Sequence, residues 1–200
     1  MNSDNGGAGR KVAEVVETTS TAFTAQCYAL YGAPPLGGLV RAGDPPVYAV
    51  VHNVATAALD PGRRVIARGA EEATEEGLYR SNPQLARLLA THLEALVVGF
   101  GDGDALRHSL PPAPPRIHAF VYPCADDEVA RFTDRLDFLR LLVRAQVPAV
   151  DEVLSACLRL AAATHPDPEG FLVRAGKAVA GDLASDAGRL SAILLGASRR

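Results

Sequence analysis

The residues of this chain that could do chemistry are scattered, and their spacing limits what they can do. GFLVRAGKA over residues 170–178 comes nearest to a phosphate-binding loop. It has five residues between its glycines where such a loop has four, and Ala178 stands where the magnesium-binding hydroxyl belongs. It also follows a Pro-Asp-Pro helix start, not a strand. Gly6, Gly7 and Gly9 have no strand before them either, so no grip on a triphosphate is expected. The five histidines, His52, His92, His108, His118 and His165, show neither HExxH nor His-x-His spacing. No GxSxG elbow occurs. Cys27, Cys124 and Cys157 form no CxxC and read as reduced, buried thiols. Cys27 and His52 could pair as a dyad across adjacent strands, but no third, orienting group accompanies them. His118 and Cys124 are six residues apart, which puts them on one face of an extended strand. Two ligands do not make a zinc site. Asp126, Asp127 and Glu128 would diverge by about 100° per residue on a helix, so they read as complements to a helix dipole. Glu71, Glu72, Glu75 and Glu76 read as a solvated face. The densest basic cluster is Arg63, Arg64 and Arg68. It is either a contact to phosphate or to an acidic partner, or a solvated turn that pairs with Glu71 and Glu72. No catalytic, cofactor-binding or metal-binding residue is assigned, and no cofactor is expected. The three arginines are the only site candidates.

The elements that would position these groups change character along the chain. Residues 1–10 read as a flexible tail. KVAEVVET and TAFTAQCYALY alternate with a period near two, the second with Phe23, Ala25 and Cys27 on one face. LVRAGDPP reads as a very short strand and a turn. VYAVVHNVAT is the strongest strand signal, apolar on both faces and therefore central. ALDPGRR turns the chain, and RVIARG is expected to add one more strand. AEEATEEGLYRS reads as a solvated loop or frayed helix. Asn82 and Pro83 then resemble a cap and first turn, and QLARLLATHLEAL predicts a helix with Leu85, Leu88, Leu89, His92 and Leu96 along one face. LVVGF reads as a buried strand. GDGDALRHSLPPAPPRIH is a proline-rich connector, expected to lie as an arm across the barrel. HAFVYP reads as a strand.

From Asp126 the period becomes helical. Val129, Phe132, Leu136, Leu139 and Val143 form a single stripe. Pro148 opens a second helix, Asp167 and Pro168 a third over 168–183, and Ser185 caps a fourth. The expected fold is α+β: a small antiparallel β-barrel at the N-terminus followed by an α-helical C-terminal region. The expected divisions are a tail (1–10), a β-rich domain with an inserted helix and proline arm (11–124), and a helical domain (125–200).

Composition excludes several classes. Of 200 residues, 48% are hydrophobic and 22% charged, which is ordinary globular usage. Twenty basic residues face 23 acidic ones for a net charge of −3, so a strongly basic nucleic-acid module is not expected. The uncharged run from Thr18 to Val40 holds prolines, glycines and polar residues and cannot span a bilayer. MNSDNGGAGRK has no apolar signal core. The expectation is a cytoplasmic chain without a membrane partner.

Between Lys11 and Gly69 the order of pieces resembles the HAS-barrel, the small barrel shared by HerA-type ATPases and ATP-synthase subunits. The matching pieces are Val12–Glu17, Phe23–Cys27 with its Phe-x-Ala alternation, Gly38–Val40, and Val47–Val51 of Val-Tyr-x-Val-Val type. DPGRR, NPQL and IHAFVYP are similar to stand-alone bacterial proteins that carry this barrel without the ATPase domain. The resemblance covers about a third of the chain. In the ATPases the barrel is a collar that organises rings and offers a docking surface. With no phosphate loop and no room for a motor, the resemblance implies the collar alone. The expected role is a non-enzymatic assembly or adaptor protein that docks to a HerA-like ATPase or to copies of itself. The competing readings are a nucleic-acid-binding barrel using Arg63, Arg64 and Arg68, and a small-molecule enzyme at the barrel–helix junction using His52 or Cys27.

Overall fold

The computed structural model describes residues 9–60, 62, 64–103, 105–184 and 186–199. The expected strands at the N-terminus form β1 (Ala13–Thr18), β2 (Ala22–Cys27), β3 (Leu39–Ala42) and β4 (Val47–Ala58). They are joined by β5 (Leu89–Asp102), β6 (Ala105–Arg107) and β7 (Phe120–Pro123). All pairings are antiparallel. The order β2-β1-β7-β3-β4-β5 closes through a further pairing of β2 with β5, giving a six-stranded barrel. The seventh strand, β6, hangs from β5 as a hairpin. Closure pairs the strands that would otherwise be edges.

Side-chain size explains how so small a barrel fills. Its interior holds Ala13, Ala25, Ala42, Ala49 and Ala95 beside the larger Phe23 and Leu93. Small residues opposite large ones suit a narrow taper. The both-faced apolarity of β4 also has a reason: Val47, Ala49 and Val51 face the barrel interior, while Tyr48 and Val50 face outward into a second core. The inner and outer residues alternate as a pleated strand requires.

That second core belongs mainly to the helices: α3 (Asp126–Thr133), α4 (Leu139–Val143), α5 (Val150–Ala162), α6 (Pro168–Asp182) and α7 (Ala187–Ser198). Leu39, Tyr48, Val50, Leu96 and Val98 from the barrel share it with Phe132, Phe138, Leu154 and Phe171. One apolar cluster therefore runs across the expected boundary at residues 124 and 125. Gly37, at a φ of 79°, permits one close approach of barrel to helix: an added Cβ would stand 2.5 Å from the backbone N of Cys157. Asp167 caps α6 by accepting from Gly170 N at 2.9 Å, as its sequence indicates. The last helix is capped by Asp186, which accepts from Arg189 N. The expected cap, Ser185, lies outside the described residues.

Four expectations need correction. QLARLLATHLEAL is not one helix: only α2 (Leu85–Leu88) is helical, and β5 begins at Leu89. Asn82 ends the preceding helix, α1 (Glu75–Ser81), instead of starting one. RVIARG, residues 64–69, forms no strand. The stripe from Val129 to Val143 is carried by two helices, α3 and α4, and not by one. Among the described residues no helix is long and apolar enough to cross a membrane.

Candidate functional site

The sequence candidates lie on the long connection between β4 and β5. Arg64 and Arg68 are exposed there, beside an exposed Val65 and Ile66. Neither arginine takes part in an ion pair among the described residues, so the expected pairing with Glu71 and Glu72 is not formed. Arg63 lies outside the described residues.

The remaining candidates separate in space. Cys27 points into the barrel interior. The strand that ends at Cys27 borders β1 and β5, whereas His52 is on β4, between β3 and β5. The two strands are not neighbours, so the dyad does not form. His52 instead lies 3.8 Å from Glu94. Burial pushes the Cys27 thiol up and the Cys157 thiol up to about 12. Burial foremost, then the nearby Glu128 carboxylate, raises Cys124 as well. All three stay protonated and poorly nucleophilic. His118 leaves Cys124 and pairs with Glu14. Gly176 and Lys177 sit inside α6, where no phosphate loop exists. Among the described residues no group of three or more His, Cys, Asp or Glu side chains could hold a metal.

A different surface emerges on the outside of the barrel. The register places Glu14 of β1 between Gln26 of β2 and Phe120 of β7. A bulge between Val15 and Glu17 turns Val16 outward, 43% exposed, as bulges commonly re-aim a side chain. Glu14 is held from two sides. Its Oε1 lies 2.6 Å from His118 Nδ1, and its Oε2 accepts from the Tyr28 hydroxyl at 2.9 Å. The hydrogen bonds from His118 and then Tyr28 hold its carboxyl below the usual range. Partial desolvation first, then the Glu14 hydrogen bond, raises the Tyr28 phenol to about 12. His118 stands at a φ of 70°, fixed by donation from its own backbone N–H to the Val15 carbonyl at 2.9 Å. Lys11 Nζ lies 3.8 Å from the centre of the Phe120 ring and 5.5 Å from that of Tyr28, a cation–π arrangement.

The surroundings of Glu14 are apolar. Val16, Tyr28, Ile117 and Phe120 are all exposed. Each lies within two residues, one strand pairing or one hydrogen-bonded neighbour of Glu14. A fixed polar centre with aromatic and aliphatic exposure around it is the composition of a protein interface. The proline arm borders the same region. Residues 111–119 enclose, with Gly43–Pro45 and Phe100–Gly103, a cleft of about 690 Å³ at one end of the barrel. Pro115 is buried, whereas Pro112, Ala113 and Pro114 are exposed.

Elsewhere on the outside of the barrel, β3 and β4 are tied to the helices. Glu128 of α3 accepts from Tyr48 Oη at 2.9 Å and pairs with Arg41 Nε at 3.1 Å. Sequence spacing placed Glu128 in a helix's first turn, which is correct, but did not show that it turns onto the barrel. The outer-face cluster was also missed. Its one sequence signal was the alternation of Phe120 and Tyr122 against Val121, which marks a strand with an aromatic outer face. Comparison with protein-family models and with curated protein sequences returns no match for this chain.

Proposed function

We propose that the chain is a non-enzymatic assembly or adaptor module, whose barrel docks a separate protein through the outer face around Glu14. The observation that carries this reading is the exposed set Val16, Tyr28, Ile117 and Phe120 around a carboxylate already fixed by His118 and Tyr28. Ordering cost at such a surface is low, because its polar groups are held before a partner arrives. The barrel interior is filled by side chains, which leaves the outer face and the arm as its means of recognition. The resemblance to the HAS-barrel names two occupants: a HerA-like ATPase, or a second copy. Light scattering on the eluting protein, with affinity capture and identification of partners, tests the reading. Phe120→Glu should abolish the complex while leaving the far-ultraviolet spectrum unchanged. A wild-type monomer that captures nothing, or a complex indifferent to Phe120→Glu, sinks it.

Nucleic-acid binding is a second reading, favoured by one observation: Arg64 and Arg68 are exposed and outside any ion pair among the described residues. Titration with DNA and RNA at two salt concentrations tests it, since phosphate contacts must weaken as salt rises.

A further inference from the structure

Where β6 meets the connection between α3 and α4, the fold gathers charge that none of the interactions above uses. Arg107 and His108 enter from the end of β6, and Ser109 follows them. Arg135 and Asp137 enter from the connection, and Arg140 from α4. Together they line a hollow of about 320 Å³. Three guanidinium groups line it; Arg107 is paired through Nε with Asp102 at 3.1 Å, which leaves its terminal N–H groups for the hollow. The Asp137 carboxylate is already taken by Arg135, 2.6 Å away. Arg140 is anchored by one N–H, which donates to the His108 carbonyl at 3.3 Å. Its other N–H groups remain to aim at a ligand.

His108 adds an independent observation. Its side chain is only 5% exposed, and its ring packs 4.6 Å from Phe132 and 5.5 Å from Phe138, centre to centre. Its Nδ1 is buried without a hydrogen-bond partner among the described residues. The Asp137 carboxylate oxygen is 4.0 Å away, beyond hydrogen-bond reach. A buried polar atom left unpaired carries a desolvation cost that a ligand can relieve.

We propose that this hollow is an oxyanion site that takes a phosphate group, with Arg107, Arg135 and Arg140 on its oxygens and one ligand oxygen on His108 Nδ1. Guanidinium forks match phosphate geometry, and three of them favour a multiply charged anion over chloride. The ring nitrogen suits either protonation state of the ligand. A neutral imidazole accepts from a P–O–H, and a protonated one donates to a P–O⁻. A neighbouring hollow of about 460 Å³ shares Ser109 and Arg140 and adds Leu110, Leu141 and Arg144. It offers apolar walls to the organic part of a phosphate monoester. The shared chemistry is the phosphate group, and its source is either the free ion or a monoester.

The test uses the full chain at constant ionic strength, titrated separately with inorganic phosphate and with phenyl phosphate. Calorimetry reads affinity, and side-chain nitrogen resonances read all five histidines. The expected result is saturable binding with a shift at His108 Nδ1 that follows the binding curve, the other four histidines staying still. Arg135→Gln with Arg140→Gln should weaken binding by about tenfold or more, whereas Arg174→Gln, on exposed α6 surface, should not. Tighter binding of phenyl phosphate assigns a monoester, and equal affinities assign the free ion; both support the site. No saturation with either probe, an unmoved His108, or binding unchanged in the double variant overturns it. Should the double variant fail to fold, the His108 resonance in the wild-type chain decides alone. The site is separate from the outer barrel face, so its failure leaves the assembly reading standing.

Discussion

Glu128 shows how a side chain can satisfy a local rule and serve a distant purpose. Its place in the first turn of α3 complements the helix dipole, and that much is legible from DDEVARF. Its bonds to Arg41 and Tyr48 span 87 and 80 residues of sequence, and no spacing rule reaches that far. The Arg41 and Glu128 side chains are 21% and 15% exposed, so the pair is largely withdrawn from water. Glu128→Ala leaves the Tyr48 hydroxyl and the Arg41 guanidinium without their acceptor. It should lower unfolding free energy by about 1–3 kcal/mol in urea titration. A loss near zero would make the contact a surface pair of little worth. Gly37 makes a matching case. PPLGG announces a turn, but the reason for glycine is the helix it touches. An added Cβ at its φ of 79° would meet both Ala156 and Cys157. Gly37→Ala should destabilise by about 1–3 kcal/mol through overpacking and backbone strain, measured by the same titration. Sequence could find neither the outer cluster at Glu14 nor the hollow at His108, because both join residues far apart in the chain.

At the scale of elements, five strands, β1 to β4 and β7, were legible because their apolar patterns are local and their flanks carry proline and glycine. The instructive failure is β5. Leucine and alanine at spacings of three and four over QLARLLATHLEAL satisfy a helix pattern and favour a helix intrinsically. The same residues also alternate: Leu93 and Ala95 face the barrel interior, while His92 and Glu94 do not. Both patterns were present, and tertiary pairing chose between them, since β5 lies between β4 and β2 and closes the barrel. A peptide of residues 83–98 alone lacks both neighbours. Its circular dichroism should be unordered or helical, and a strand spectrum from the monomeric peptide would contradict the tertiary override. The split of the Val129–Val143 stripe has a similar origin. The stripe is real, but the chain turns between α3 and α4 so that Phe132 and Phe138 meet with ring centres 5.3 Å apart.

At the scale of the whole molecule, the core shared by barrel and helices couples their stability, and three histidines couple that stability to pH. His52, His108 and His165 lie on β4, after β6 and after α5. In each, burial holds the ring below the ordinary value of 6.5. Glu94 and Asp137 pull His52 and His108 back up without reversing the direction, while Arg174 adds to the depression of His165. A base with a depressed folded pKa binds its proton more readily when unfolded. The stability these rings contribute is therefore complete above about pH 7.5, falls as pH drops through 6.5, and is gone below the folded values. Glu14 follows the same sign lower on the scale. Its carboxyl sits below 4.5 in the fold, so its contribution is present above 4.5 and is lost as pH falls through the folded value. Urea midpoints should thus be level from about pH 8 to 7.5 and decline toward about pH 5.5, before any carboxylate titrates. Because one apolar cluster joins barrel and helices, absorbance of the tyrosines, all in the β-rich part or its α1 insertion, and far-ultraviolet helix signal should fall together at every pH. His52→Gln removes one of the three titrating rings and should flatten the decline. A midpoint that holds steady down to about pH 5.5 would mean the rings are as free to protonate in the fold as in the open chain, and two separated transitions would mean the shared core does not bind barrel and helices into one unit.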